Sequence, residues 1–231
     1  MQTASNPRFV IGTFKKELKN RFLCEVQIDG EDVVCYVPSS CHLSNFLQLD
    51  GKKVLLVPTQ TPNSRTPYAL FAVPYKRNYI VLNTSMANRA IEISIQGKRF
   101  SYLGKRKDGI KEHTIDGYKA DLYLPSTKTI VEVKSVISIA NHAKFPTVYS
   151  ERTLKQLASI LELLQKGYRV CFAIVSLHPY IKAIDIETGT DFYKEVKRWM
   201  DAGWIIKAYA SRLKNDVLTI DKEIGINFKG D

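Results

Sequence analysis

The stretch YKADLYLPSTKTIVEVKSV, residues 118–136, constrains the fold more than any other part of the 231-residue chain. Two runs with strand character, Lys119–Leu124 and Thr129–Val136, are joined only by Pro125-Ser126-Thr127-Lys128. So short a connection predicts antiparallel pairing, because parallel neighbours need a long crossover. Side chains alternate along a strand, so Ile130, Glu132 and Lys134 share one face while Val131, Val133 and Ser135 share the other. Charged residues therefore project from an otherwise apolar strand, and the antiparallel pairing brings Asp121 beside Glu132.

Two close carboxylates repel each other and invite a divalent cation. Oxygen donors from Asp121, Glu132 and the backbone carbonyl of Val133 suit Mg²⁺ or Mn²⁺. Such a cation polarises a scissile phosphate and lowers the pKa of a bound water. Lys134 would orient that water or neutralise charge developing on the phosphate. The residues needed for phosphodiester hydrolysis are thus present. An acid alternating with a lysine also makes an ordinary solvated sheet face with cross-strand ion pairs. The pattern is short and degenerate, and both readings stand at this point.

The rest of the chain changes character near residue 83. Before it, Phe22–Ile28 and Val33–Val37 flank Asp29-Gly30, a pair suited to the positive φ angles of a tight hairpin turn. Lys53–Val57, Tyr68–Val73 and Tyr79–Leu82 follow, so residues 1–82 read as a small β-barrel or sandwich. Residues 83–231 read as mixed α/β. A helix is expected from Asn83 or Thr84 to about Ile95, and Leu154, Leu157, Ile160, Leu161 and Leu164 mark a second, closed by Gly167. Arg169–Val175 reads as a strand buried on both faces. Asp191–Ala202 carries Phe192, Val196 and Trp199 on one helical face, and Trp204–Tyr209 is a last strand. A central mixed sheet with flanking helices follows, an α/β (α+β) class.

Composition narrows the partners. The chain has 34 Lys and Arg against 23 Asp and Glu, a formal charge of +11, which points to polyanions and first to DNA or RNA. No apolar run approaches a bilayer span, and the first residues, MQTASNPRFVIG, lack a signal-peptide pattern, so a cytoplasmic protein with no membrane partner is expected. Cys24, Cys35, Cys41 and Cys171 form no CxxC pair, and Cys24, Cys35 and Cys171 read as core thiols. The four histidines are scattered without ligand spacing. No protein partner is legible, and a homodimer is compatible with the sequence.

Three blocks resemble the sugar fermentation stimulation protein (SfsA) family. They are Asn20-Arg21-Phe22-Leu23 with Val26 and Asp29-Gly30; Val81-Leu82-Asn83-Thr84 through Asn88-Arg89; and Ala120-Asp121-Leu122 with Val131–Val136, Phe145-Pro146 and Glu151-Arg152. The resemblance implies an OB-like barrel over 1–82 and a PD-(D/E)XK nuclease-like domain over 83–231, with Asp121, Glu132 and Lys134 on the nuclease motif. It also places Glu112 as an accessory catalytic acid, although a surface pairing with Lys111 or Lys119 explains that residue equally well. Departures include Ala120 before the Asp, Tyr36–Cys41 in place of a His-x-Pro-Asn-Thr-Gly block, and Gln156 where a His is expected.

An OB-like barrel would bind nucleic acid through stacking aromatics and a cationic groove. Tyr36, Tyr68, Phe71 and Tyr75 are the candidates for stacking, and Arg21, Arg65, Lys76 and Arg77 for phosphates. Lys105, Arg106 and Lys107 would line the approach to the site, with Arg152 and Gln156 near the cleaved phosphate. Two functions remain open: a divalent-metal nuclease, or a non-catalytic DNA-binding regulator of sugar (maltose) metabolism on the same scaffold. A small-phosphate enzyme finds no support, because no Gly-rich phosphate loop is present.

Overall fold

The computed structural model describes residues 9–38, 42–45, 47–59, 64–146 and 151–230, apart from the side chains of residues 45 and 151–157. The N-terminal strands are β1 (Val10–Glu17), β2 (Leu23–Ile28), β3 (Glu31–Tyr36), β4 (Lys53–Pro58), β5 (Tyr68–Tyr75) and β6 (Asn78–Val81). They run in the order β3-β2-β1-β4-β5-β6, and a pairing of β3 with β5 at Tyr36 and Ala69 closes β1–β5 into a five-stranded, OB-like barrel. The β2–β3 turn has Asp29 at φ 50° and Gly30 at φ 91°, the paired left-handed residues that a tight hairpin requires.

Strand β1 lies outside the strands expected from sequence. Its buried positions are Gly12 and Phe14, and the charged run Lys15-Lys16-Glu17 hides the alternation. Gly12 is there because β2 approaches closely: a Cβ at this position would stand 2.4 Å from Val26 Cγ1.

The second sheet is preceded by α1 (Met86–Ser94) and built from β7 (Ile110–Ile115), β8 (Tyr118–Leu124), β9 (Thr129–Val136), β10 (His142–Lys144), β11 (Arg169–Ser176), β12 (Ala183–Glu187), β13 (Ile205–Lys214) and β14 (Val217–Lys229). Its order is β10-β12-β14-β13-β11-β9-β8-β7. Helix α2 (Glu151–Gln165) precedes β11, and α3 (Asp191–Asp201) precedes β13. β8 and β9 are antiparallel as expected, while β9, β11 and β13 run parallel. Gly167 (φ 83°) follows α2, and Thr190 caps α3 by accepting the Tyr193 N–H at 3.2 Å.

Two apolar cores lie on the two faces of this sheet. On one, Val131, Val133, Cys171, Ala173 and Tyr209 pack with α1 and with the barrel interior in one continuous cluster. On the other, Ile130, Phe172 and Ile174 pack with Ile160 and Leu163 of α2 and with Phe192, Val196 and Trp199 of α3. A backbone hydrogen bond also joins the units: Val81 N–H donates to the Leu177 carbonyl at 3.1 Å.

Cys24, Cys35 and Cys171 are buried free thiols. Burial pushes Cys35 and Cys171 up to about 11 and Cys24 higher still, so they remain protonated and inert. Cys41 lies outside the described residues. No helix among the described residues is long and apolar enough to cross a membrane.

Candidate metal centre

β8 and β9 pair regularly from Leu124 opposite Thr129 to Leu122 opposite Val131. Beyond Leu122 the backbone ladder stops and the Asp121 side chain takes its place. Its Oδ2 accepts the Val133 N–H at 2.8 Å, and its Oδ1 accepts the side-chain amide of Asn88 on α1 at 2.9 Å. The same break shows in the packing. Leu122 and Leu124 lie in the barrel-side core, whereas Tyr118 and Ala120 lie in the helix-side core. Strict alternation would place all four on one side.

Glu132 is only 2% exposed. Its Oε1 accepts from Lys134 Nζ at 2.7 Å and its Oε2 from the Tyr118 hydroxyl at 2.5 Å. Lys134 keeps 27% of its side chain in solvent, so it joins the buried acid to the outside. Burial pushes the Glu132 carboxyl above its ordinary value; the Lys134 ammonium opposes that shift, and the nearby Asp121 carboxylate adds to it. The shared strand face read from the sequence is therefore real, and Asp121 is close enough to be felt by Glu132.

The donor set fits a hard divalent cation. Both carboxylates offer oxygen donors, and the Val133 amide, Asn88, Tyr118 and Lys134 orient them. No group of three His, Cys, Asp or Glu that could hold a metal is found among the described residues. One or two carboxylates completed by water and substrate phosphate is the usual arrangement for Mg²⁺. Val133, whose carbonyl is the expected third ligand, sits between Glu132 and Lys134 on β9.

The other candidates fall in different places. Glu112 lies on β7 with a left-handed backbone (φ 47°), and its exposed carboxylate pairs with Lys119 at 2.6 Å rather than joining the acids. Arg106 donates to the Ile95 carbonyl at 2.7 Å and to the Gly104 carbonyl, bracing the loop that carries it; Lys105 and Lys107 are exposed. Arg21 lies 4.8 Å from the ring centroid of the exposed Phe22, and Arg65 is exposed. Among the aromatics, Tyr36 is exposed, Tyr68 and Tyr75 are half-buried, and Phe71 belongs to the core. Arg152 and Gln156 sit in α2, but their side chains lie outside the described residues.

Asn88 and Tyr118 are the residues that sequence reasoning missed as parts of the site. Asn88 is 33 positions from its partner and Tyr118 is 14 from its own, so sequence spacing does not reveal either contact. Glu92, one turn beyond Asn88 on α1, pairs with Lys111 at 2.5 Å and Arg89 at 3.5 Å rather than with the two acids.

Comparison with known proteins agrees with this architecture. A family model described as the sugar fermentation stimulation protein RE domain matches residues 85–217, and one described as the SfsA N-terminal OB domain matches residues 18–82. A sugar fermentation stimulation protein homolog of Methanobrevibacter smithii is 28% identical over 184 residues, 74% of this chain and 76% of its own. That of Natranaerobius thermophilus is 26% identical over 211 residues, 87% of each chain. A solved structure of Pyrococcus furiosus SfsA in complex with Ca²⁺ matches with a TM-score of 0.77 and 17% identity over 98% of both chains.

Proposed function

The chain belongs to the sugar fermentation stimulation protein family, and from that premise we propose that it is a nucleic-acid-binding phosphodiesterase whose Asp121 and Glu132 hold Mg²⁺ or Mn²⁺. The observation that carries this reading is the position of Asp121 at the end of the β8–β9 ladder, with its charge acting on a nearly buried Glu132 that is bonded to Lys134. Lys134 offsets one of the two negative charges, and a divalent cation between the acids would offset the other. The Pyrococcus relative of the same fold is known with a divalent cation, which is the same ligand chemistry.

A bound cation would polarise the scissile phosphate and acidify a water. The chain's own residues do the positioning. The Val133 amide and Asn88 fix both oxygens of Asp121, and Tyr118 fixes Glu132. Lys134, half-exposed, places a positive charge where the phosphate's negative charge grows. The +11 charge draws DNA or RNA to the protein.

The relatives are named for sugar fermentation stimulation, and a second reading is that the chain binds DNA and regulates sugar metabolism without cutting it. The test is cleavage of labelled single- and double-stranded DNA and RNA by the wild type and Asp121→Asn. Metal-dependent cleavage lost in the variant supports the nuclease. Tight binding without cleavage in either supports the second reading.

A further inference from the structure

A cleft of about 520 Å³ opens where the barrel meets the second sheet, well within the roughly 300–1,000 Å³ of small-molecule sites. Leu47, Leu49, Val73 and Ile80 are its buried residues; the half-buried Tyr75 and the exposed Ile139 also line it. Ile139 belongs to the segment that leaves β9, three residues beyond the end of the strand carrying Glu132 and Lys134.

Tyr75 is held as a fixed platform. The ring of the fully buried His178 meets it edge-on at 4.8 Å, and Tyr180 lies 6.1 Å away. Lys76 Nζ stands 5.5 Å from the Tyr75 centroid and 5.4 Å from that of Tyr180. Lys52 lines the cleft itself. Lys52, Lys76 and Arg77 are exposed and have no carboxylate partner among the described residues. Asp50, the acid closest in sequence to Lys52, lines a neighbouring cleft with Glu17. An apolar slot with an aromatic wall and an unbalanced cationic rim suits a base attached to phosphates.

We propose that this cleft seats an unstacked base of a single-stranded nucleic acid against Tyr75, with the flanking phosphates on Lys52 and Lys76. The inference rests on the proposed function and names the form of its substrate: a single strand that crosses the joint between barrel and sheet. Stacking on Tyr75 frees the Lys76 ammonium from the rings for the phosphate. An intact duplex has no free base to offer.

The test is fluorescence anisotropy of the full chain in EDTA, where no metal-dependent cleavage occurs. The probes are a labelled oligothymidylate, the same strand made of abasic units, and an intact duplex. Tyr75→Ala is expected to weaken oligothymidylate binding about tenfold, as loss of one stacked base does, and to leave abasic binding unchanged. Tyr75→Phe is expected to bind like the wild type. Ile139→Glu, on the exposed rim where folding is indifferent to it, is expected to reproduce the loss. Wild-type binding by both Tyr75→Ala and Ile139→Glu would overturn the proposal. So would an equal loss on the abasic strand, or a preference for the duplex. Binding is read in EDTA, where the metal site takes no part, which keeps the two claims separate. If cleavage proves independent of Asp121 while the Tyr75 result holds, the metal reading fails and the cleft stands.

Discussion

Asn88 donates its side-chain amide to Asp121 at 2.9 Å, tying the first helix after the barrel to the strand that supplies the first carboxylate. Helix α1 also packs on β9 and β14, and Ser94 at its end accepts the Ile220 N–H at 2.9 Å. The acid is therefore positioned by the fold's own seam, and the orientation of both carboxylates rests on residues outside the sequence motif.

Removing those outer partners should loosen the metal without destroying the fold. Asn88→Ala and Tyr118→Phe are each expected to cost about 10–100-fold in metal affinity or cleavage rate. Titration calorimetry with Mn²⁺ and a cleavage assay on the same preparations check this. Unchanged values in both variants would mean that the carboxylates need no such support.

Lys134 should act on the reaction more than on the ion. Lys134→Ala is expected to lower the cleavage rate about a hundredfold, within the span of a positioned proton-transfer or charge-stabilising group, while metal affinity changes less. The comparison is kcat against the calorimetric Kd.

His178 makes the joint between barrel and sheet sensitive to acid. It is fully buried, and neither ring nitrogen has a hydrogen-bond partner among the described residues. Burial, helped by Lys76, lowers its pKa from 6.5 to about 4. The unfolded chain therefore binds the proton first as pH falls. The contribution of neutral His178 is full above about 6.5 and is lost progressively towards 4, by up to ~3 kcal/mol. His178→Phe should flatten this part of the stability–pH curve. Denaturant melts between these pH values, wild type against variant, cancel the background titration of carboxylates.

Glu17 should matter for the barrel. Its two carboxylate oxygens accept the Leu43 N–H at 2.6 Å and the Ser44 N–H at 3.0 Å, anchoring a short 3-10 turn to β1. Glu17→Gln turns an amide donor onto one of those N–H groups and is expected to cost about 1–3 kcal/mol. A thermal melt reads the loss.

Much of the frame was legible because burial writes itself into sequence periodicity. The strand Arg169–Ser176 is apolar throughout, and Phe192, Val196 and Trp199 sit at helical spacing. The hairpin at Asp29-Gly30 and the strand pair carrying Asp121 and Glu132 were legible for the same kind of local reason. β14 was not, because VLTIDKEIGINFK leaves much of its length in solvent and its charges follow no strict alternation. β12 was missed although AIDIE is largely buried; its Asp185 is bonded by Asn227, which is distant in sequence. Within the candidate site, the strand pattern and the family resemblance both point to Asp121, Glu132 and Lys134. Asn88 and Tyr118 could not be named, since only the tertiary fold brings them to the carboxylates.

The most direct test of the account is calorimetric titration of Mn²⁺ and Mg²⁺ into the wild type, Asp121→Asn and Glu132→Gln. Cleavage of labelled single- and double-stranded DNA and RNA is followed on the same samples. The account predicts that the wild type binds the ion and cuts, and that both variants lose the two properties together while still binding nucleic acid. Cleavage or metal binding that persists in both variants would contradict it, as would a wild type that binds no divalent cation.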